Sequence, residues 1–347
     1  MIFKKGVFFV LAALSITLCI NLTWHWNIST ILNETLKRMR EQQRERAVVD
    51  ESWLKGPVVA DDPRLLQVIR DRYLIPPTTL PYNLSSPEET RIYYPSSNVS
   101  SFHFIDYYVK YLLGDQKTGF FLDSGALEGD IFSNSLWLEK ERGWTGILVE
   151  VDPNNFRHLV QKRRKSWLSN TCIARAPYPQ QVTFEFLEGP SDHSLLWVYR
   201  SNSRAVNSPF HKSDDMWSKT SSKTYQVMQC FPLASYLLAL NRTTLDFLSL
   251  DIQGFESEVL YSIPYDRVKV RVMAVEYLIQ DDGGDLYIGE IDRKFVKNME
   301  SKGYFLVDFD HESNYIFALK DDPQLKDKLD KKKYVKYYTM LINRNKQ

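Results

Sequence analysis

Four carboxylates stand at or next to the ends of apolar segments in this sequence. Asp123, Glu150, Asp251 and Glu276 each follow a short apolar run with the length and composition of a buried β-strand. The four runs are 119–123, 145–150, 245–251 and 270–277. If these strands are parallel, their acids meet at the carboxyl edge of one sheet, where open α/β sheets bind ligands. We therefore expect a ligand site built around these acids.

The first two acids have the surroundings of a nucleoside site. Gly125 and Gly129 follow Asp123 and predict a tight turn that brings a ligand close to backbone N–H groups. Asp123 can hold a cationic amino group, and Glu150 can accept hydrogen bonds from both hydroxyls of a ribose. The structural alternatives are that Asp123 caps the next helix and that Glu150 forms an ion pair. The basic residues available for that pair are Arg157 and Lys162.

The other two acids come from neighbouring predicted strands and are the candidate catalytic residues. Asp251 and Glu276 can share a proton, bind a cation or orient a substrate hydroxyl, and the sequence does not choose among these roles. Asp251 can instead cap a helix that begins near Glu256. None of the six histidines has metal-ligand spacing, and the sequence contains no cysteine cluster, nucleophile elbow or phosphate-binding loop. We expect no metal.

The elements that position these acids alternate between strands and helices from residue 101 onward. A third strand is predicted at 171–174, followed by an antiparallel insertion and a polar, serine-rich loop over 200–222 that is expected to be mobile. The pattern closes with a hairpin formed by 304–310 and 315–320. This order predicts an α/β fold with a mostly parallel sheet and right-handed crossovers.

The amino terminus has the composition of a membrane anchor. Residues 6–26 contain no Lys, Arg, Asp or Glu, and as a helix this run would span roughly 30 Å, about one hydrocarbon core. Lys4 and Lys5 favour a cytosolic segment at 1–5, which leaves the rest of the chain lumenal. The alternative is a cleaved signal peptide. The net charge of +1 gives no indication of a nucleic-acid partner.

Sequons and cysteines agree with a secretory route. The candidate glycosylation sites are Asn33, Asn83, Asn98 and Asn241. Cys172 and Cys230 are the only cysteines outside the anchor, and in a lumenal domain they predict one disulfide. The alternative is two buried thiols. Residues 27–100 are predicted to form a stem followed by a proline-rich segment from 57, which is either a linker or an extended wrap with one short helix, and residues 321–347 a charged tail.

Several segments together resemble the FkbM-type methyltransferase domain, in the form found in Star-like membrane proteins. They are Asp123–Glu139, Arg142–Pro153, Arg164–Trp167 with Cys172, Leu250–Glu256, Ser262–Asp266 and Val275-Glu276. The resemblance covers about residues 101–320. It implies a Rossmann-like methyltransferase fold, S-adenosylmethionine as cofactor, and ligand-side positions at Asp123, Gly125, Gly129, Glu150 and Asp251. Gln253 stands where many such domains carry Glu, so one charge beside Asp251 is missing.

Two functions follow from this resemblance. Star-like proteins are single-pass membrane proteins that move membrane-tethered growth-factor precursors out of the endoplasmic reticulum. The first expectation is therefore a trafficking protein in a secretory-pathway membrane, with such precursors as partners. The alternative is an active O-methyltransferase acting on a glycan, lipid or small molecule. The expected topology favours the first because the methyl donor is made in the cytosol, whereas the acids at 123 and 150 favour the second.

Overall fold

The described residues form three sheets, one of them the two-stranded pair of Ile279–Gln280 with Leu286–Tyr287, and seven α-helices. The computed structural model of the chain describes residues 51–86, 100–189, 201–209, 221–280, 286–287 and 290–329. Its strands are β1 (Phe120–Ser124), β2 (Thr145–Val149), β3 (Trp167–Ser169), β4 (Cys172–Ile173), β5 (Gln180–Glu188), β6 (Arg204–Ala205), β7 (Ser222–Phe231), β8 (Thr244–Leu250), β9 (Lys269–Glu276), β10 (Ile279–Gln280), β11 (Leu286–Tyr287), β12 (Tyr304–Phe309) and β13 (Asn314–Leu319). Its α-helices are α1 (Pro63–Val68), α2 (Ser100–Leu113), α3 (Leu136–Arg142), α4 (Pro153–Lys162), α5 (Leu233–Ala239), α6 (Glu256–Ser262) and α7 (Arg293–Ser301). A 3₁₀ turn at Ser52–Lys55 and a π-helical turn at Ile69–Tyr73 complete them.

The central sheet has seven strands in the order β12-β13-β9-β8-β1-β2-β3. β8 and β9 pair in parallel, as do β8 and β1, β1 and β2, and β2 and β3. β13 is antiparallel to β9, and β12 is antiparallel to β13. The prediction of a mostly parallel sheet with a terminal antiparallel hairpin is confirmed. The strand order reverses between β1 and β8, and a sheet of this type opens a crevice at that point.

Apolar runs form these strands because helices and loops cover both faces of the sheet. All five residues of β1 are buried, and so are six of the eight in β9. The helices start at local capping signals. Asp152 caps α4 by accepting from the amides of Asn154 at 2.7 Å and Asn155 at 3.3 Å, and Pro153 occupies the first helical position.

The predicted third strand lies elsewhere. The strand that pairs with β2 is β3, whereas residues 172–173 form β4 in a second sheet of order β4-β7-β5-β6. The chain leaves the central sheet at Asn170, whose side-chain nitrogen donates to the carbonyl oxygens of Glu150 at 2.9 Å and Val151 at 3.1 Å. The antiparallel insertion is present as β5 and β7, which pair over nine residues each.

The folded domain begins before residue 101, and the described part of the proline-rich segment is an extended wrap rather than a linker. Leu54, Leu65 and Ile69 are each 0% exposed and belong to the main core. Ile75 and Leu168 exchange backbone hydrogen bonds of 2.8 and 3.0 Å, so this segment covers the edge of β3. The short helix expected in this region corresponds to α1 and the π-helical turn after it.

The predicted anchor at 6–26 and the candidate glycosylation sites Asn33 and Asn98 lie outside the described residues. Within the part of the chain that the structure describes, no helix is long and apolar enough to cross a membrane.

Candidate active site

The site lies where β1 and β8 end side by side. Gly125 has a φ of +84°, and a Cβ at this position would lie 2.0 Å from the carbonyl oxygen of Asp251. Glycine is therefore required for the two strand ends to approach each other. The amides of Gly125 and Ala126 donate to the carbonyl of Val149 at 3.0 and 3.2 Å. These N–H groups, which the sequence suggested for a ligand, are used within the fold, so side chains must carry recognition.

Glu150 lies at the carboxyl end of β2 with only 4% of its surface exposed. Its Oε2 accepts from the amide of Leu127 at 2.7 Å, and its Oε1 accepts from the amide of Asp152 at 2.8 Å. Burial, with the nearby charge of Asp152, raises the pKa of Glu150 to about 8. Lys162, proposed as an ion-pair partner, instead binds Asp130 at 2.9 Å. Glu150 is therefore held by backbone donors, as a ligand-binding carboxyl would be.

Asp123 is 3% exposed and lies near the end of β1. The hydroxyl of Ser135 donates to its Oδ2 at 2.6 Å, and that of Ser133 approaches the same oxygen at 3.4 Å. Burial raises the pKa of Asp123, while the hydrogen bond from Ser135 and the charge of Arg164 oppose the rise. Asp123 does not cap α3 directly. Ser135 occupies the cap position, and its hydroxyl donates to Asp123.

Arg164 supports the loop after β1, a role that the sequence did not reveal. Its side chain is fully buried and forms an ion pair with Glu139 at 3.1 Å. Its guanidinium also donates to the carbonyl of Gly129 and, at 3.2 Å, to the hydroxyl of Ser135. Gly129 has a φ of +70°, and a Cβ there would lie 2.2 Å from Leu159. The glycine therefore serves packing and loop shape, with Arg164 holding its carbonyl.

The basic run at 162–165 suggested only a helix end that complements the helix dipole. Arg163 adopts a left-handed backbone with a φ of 58° and ends α4. The chain turns at that residue, and Arg164 enters the interior. The left-handed conformation of Arg163 cannot be read from the sequence. The burial of Arg164 is therefore recognised only from the residues that its side chain contacts.

Asp251 and Glu276 follow or end the adjacent strands β8 and β9, and the side chain of Gln253 joins them. Its Nε2 donates to Oδ1 of Asp251 at 2.8 Å and to Oε2 of Glu276 at 3.1 Å. Asp251 is not the cap of the following helix: Oε1 of Glu256 accepts from the amides of Ile252 and Gly254, each at 3.0 Å. Loss of solvation raises the pKa of both Asp251 and Glu276.

Two adjoining cavities occupy this edge of the sheet. The first, here called the Glu150 cavity, has Glu150 beside apolar walls that include Ile173 and Phe255. The second, here called the Glu276 cavity, contains Asp123 and Glu276. Residues that border both cavities are Gly125, Leu127, Ser201, Asp251 and Gln253. A single elongated ligand can therefore reach from Glu150 to Asp123 across the end of β1.

The insertion between β4 and β7 forms hydrogen bonds with residues next to both cavities. Ser203 donates to Oδ2 of Asp152 at 3.1 Å, and Ser208 donates to the carbonyl of Gln253 at 2.6 Å. The described part of the loop expected to be mobile, residues 201–209, therefore has fixed contacts and contributes β6. Cys172 and Cys230 are joined by a disulfide with an S–S distance of 1.97 Å, and both line the Glu150 cavity.

The remaining predictions concern glycosylation sites and metal binding. Asn83 and Asn241 are exposed. Among the described residues, no group of three or more His, Cys, Asp or Glu side chains is arranged to hold a metal ion.

A search of solved structures finds methyltransferase domains among the matches. The human methyltransferase 10 domain containing protein is 12% identical, with a TM-score of 0.31 over 75% of this chain and 98% of that chain. A METTL16 methyltransferase domain is 13% identical, with a TM-score of 0.33 over 75% of this chain and 80% of that chain. Likeness at this level carries no argument about the reaction.

A search of curated proteins finds no match to this chain. Residues 123–306, more than half of the 347, match the family described as the methyltransferase FkbM domain. This stretch contains the switch point and all four acids discussed above. The chain therefore belongs to the FkbM methyltransferase domain family.

Proposed function

We propose that this domain binds S-adenosylmethionine and transfers its methyl group to a hydroxyl group of an uncharged acceptor. The observation that carries the proposal is the placement of Glu150 and Asp123 in adjoining cavities on either side of Gly125. S-adenosylmethionine has a ribose at one end and an ammonium group at the other. The two carboxyls match these two groups in kind and in order.

The lining of the Glu150 cavity has groups that suit a nucleoside. Each oxygen of Glu150 accepts one backbone hydrogen bond, and the ionised carboxylate has about four acceptor positions, so both oxygens can accept again. Two hydroxyl donors stabilise the ionised form and therefore oppose the raised pKa of Glu150. Two vicinal hydroxyls are suitable donors for a carboxylate held in this way. The apolar walls formed by Ile173 and Phe255 suit a base. When bound, S-adenosylmethionine supplies an electrophilic methyl group on a positively charged sulfur.

The Glu276 cavity defines the acceptor. Its lining has the carboxyls of Asp251 and Glu276 and neutral polar groups such as Asn134 and Ser249. No Lys, Arg or His occurs among the described residues of that lining. An acceptor with a phosphate, sulfate or carboxylate group and no cation of its own would be repelled there, whereas the carboxylate of the donor is accompanied by its own ammonium group and a neutral hydroxyl can donate to Asp251. We propose that Asp251 accepts the hydroxyl proton as general base. A neutral glycan is the acceptor class that fits.

Calorimetry of the purified full chain with S-adenosylhomocysteine tests the cofactor half of the proposal. We expect saturable binding that Glu150→Ala weakens. The absence of binding at millimolar ligand would contradict the proposal.

The acceptor half is tested with a donor that carries a deuterated methyl group. Neutral oligosaccharides and their sulfated counterparts are incubated with the full chain and analysed by mass spectrometry. We expect labelled methyl groups on neutral glycans only, and none with Asp251→Asn. A preference for the sulfated glycans would refute the assigned acceptor class.

A second candidate function is a membrane-anchored role in transporting growth-factor precursors through the secretory pathway. It is supported by the charge-free segment 6–26, by the resemblance to Star-like proteins, and by the exposure of Asn83 and Asn241. Its location would be a membrane of the endoplasmic reticulum, Golgi, endosome or plasma membrane, with the domain lumenal. If transport is independent of methyl transfer, cells carrying Glu150→Ala should export the precursor normally. Failure of export in those cells would show that transport depends on the ligand site at Glu150.

A further inference from the structure

The side-chain amide of Gln253 lies between two carboxyl groups that come from neighbouring strand ends. Its nitrogen is 2.8 Å from Oδ1 of Asp251 and 3.1 Å from Oε2 of Glu276. A primary amide nitrogen carries two hydrogens, so one can be directed to each carboxyl. Glu276 has a further donor in Ser313, whose hydroxyl lies 3.3 Å from Oε1.

The backbone holds this amide in place. Gln253 has a φ of 58°, a conformation that costs energy for a residue with a side chain, and Gly254 follows with a φ of 118°. Ser208 donates to the carbonyl of Gln253, and Glu256 accepts from the amides on either side of Gln253. Three fixed contacts therefore maintain a strained residue whose side chain points at the two carboxyls.

Most charged groups around this pair are carboxyls. The charges of Asp251 and Glu256 raise the pKa of Glu276, and the charge of Asp251 raises that of Asp123. Arg164 is a nearby cation, which acts on Asp123 and reaches that side of the site through Ser135. Two ionised carboxylates bridged by a neutral amide repel each other, so the pair should keep one proton.

Burial and the charge of Asp251 raise the pKa of Glu276 well above its usual range. Burial also raises the pKa of Asp251, but a hydrogen bond from Glu276 opposes that rise. The strong rise in the pKa of Glu276 and the opposed rise in that of Asp251 both favour the shared proton on Glu276. Asp251, which borders both cavities, is then the ionised member of the pair.

We propose that Gln253 is a positioning residue that keeps Asp251 and Glu276 as a pair sharing one proton, with Glu276 protonated and Asp251 ionised. The amide supplies a donor to each carboxyl without adding charge. The inference concerns the base that the proposed reaction uses. It is tested without donor or acceptor, so its failure is distinguishable from failure of methyl transfer.

Infrared spectroscopy of the full chain at neutral pH locates the proton. The measurement is the difference spectrum between wild type and Glu276→Gln, recorded with glutamate or aspartate labelled with ¹³C at the side-chain carboxyl. We expect a protonated-carboxyl band that is lost in the variant and shifts only with the glutamate label. Glu150 and Glu256 cancel in the difference. A missing band, or one that shifts with the aspartate label, would overturn the proposal.

Titration of Gln253→Leu tests the amide. Without its hydrogen bond, ionised Asp251 is less favoured, so the midpoint of the aspartate-labelled band should rise by at least about one pH unit. Gln181→Leu, at an exposed position of β5, is the matched control and should leave the midpoint unchanged. If Gln253→Leu fails to fold, Gln253→Met keeps the side-chain length without the donors and should give the same rise. An unchanged midpoint in a folded variant would show that Gln253 does not position the pair.

Discussion

The backbone amide of Leu127 donates a hydrogen bond of 2.7 Å to Oε2 of Glu150. This contact joins the loop after β1 to the end of β2, and both segments border the Glu150 cavity. Leu127 takes a φ of 49° to direct its amide there. Because Asp152 fixes the other carboxyl oxygen, the orientation of Glu150 is set before any ligand arrives.

Glu150→Ala should weaken the binding of S-adenosylhomocysteine by at least about tenfold. Each charge-assisted hydrogen bond to a ribose hydroxyl is worth roughly 1.5–3 kcal/mol, and about 1.4 kcal/mol corresponds to a factor of ten. Calorimetry at a constant pH above 8, where Glu150 is ionised, measures the effect. Glu300→Ala, on the exposed side of α7, is the control and should bind as wild type does. Equal affinities for the two variants would remove Glu150 from the ligand site.

The pKa of Glu150 also predicts how stability depends on pH. Burial raises this pKa from 4.5 to about 8, so between these values the folded state holds a proton that the unfolded chain releases. The free energy of unfolding should therefore fall as pH rises through this window. Glu150→Gln should flatten the slope by up to about 1.4 kcal/mol per pH unit. Urea denaturation at pH 5, 6, 7 and 8 measures it; the raised pKa of Glu256, about 7, leaves a residual slope of the same sign.

Arg164→Met should reduce the free energy of unfolding by about 3–5 kcal/mol, because it leaves the carboxyl of Glu139 buried without its cation. Lys110→Met is the matched control. Lys110 pairs with Asp106 at 2.8 Å, but both side chains are nearly half exposed, so the loss should stay below about 1 kcal/mol. Chemical denaturation of both variants provides the comparison. Similar losses would mean that Arg164 contributes no more than a surface ion pair.

The sequence was sufficient to predict the sheet type and the acids at its carboxyl edge. A buried parallel strand is apolar over most of its length, so an acid at the end of such a run marks the carboxyl end of the strand, although β8 and β9 also contain Asp246 and Arg271. Asp123, Glu150, Asp251 and Glu276 are found by this local rule. Their proximity then follows from parallel pairing, which the alternation of strands and helices indicates.

The sequence could not reveal the parts that depend on distant partners. β3 has only three residues and is recognised by its pairing with β2 rather than by its composition. The burial of Arg164 requires Glu139, which lies in another helix. The double donation by Gln253 requires a backbone conformation that Ser208, in the insertion, helps to hold. Such contacts between segments have no periodic signature in the chain.

The two exposed sequons test the proposed topology. Asn83 donates one amide hydrogen to the carbonyl of Gln161 at 3.1 Å, which leaves the second free for attachment of a glycan, and Asn241 lies in an exposed turn. For a lumenal domain, we expect Asn83→Gln and Asn241→Gln each to remove one glycan. Gel mobility of the cell-expressed protein before and after glycosidase treatment measures this. Unchanged mobility on treatment, together with cleavage by protease added from the cytosolic side, would contradict the topology.

The disulfide between Cys172 and Cys230 should contribute to both stability and ligand binding. It joins β4 to the end of β7 across a sequence separation of 58 residues. Closing a loop of that length corresponds to about 4 kcal/mol in the chain-entropy description. Because both cysteines line the Glu150 cavity, releasing the bridge should also loosen the part of the cavity wall that they form.

The double variant Cys172→Ser with Cys230→Ser should therefore unfold at lower urea concentration and bind S-adenosylhomocysteine more weakly than wild type. Reduction of the wild-type protein should reproduce both losses, whereas the reductant should leave the double variant unchanged, which separates loss of the bridge from any effect of the serines. Mass spectrometry of the non-reduced protein checks that the bridge forms. Free thiols at both positions would contradict the assignment, and weaker binding at unchanged stability would confine the role of the bridge to the cavity wall.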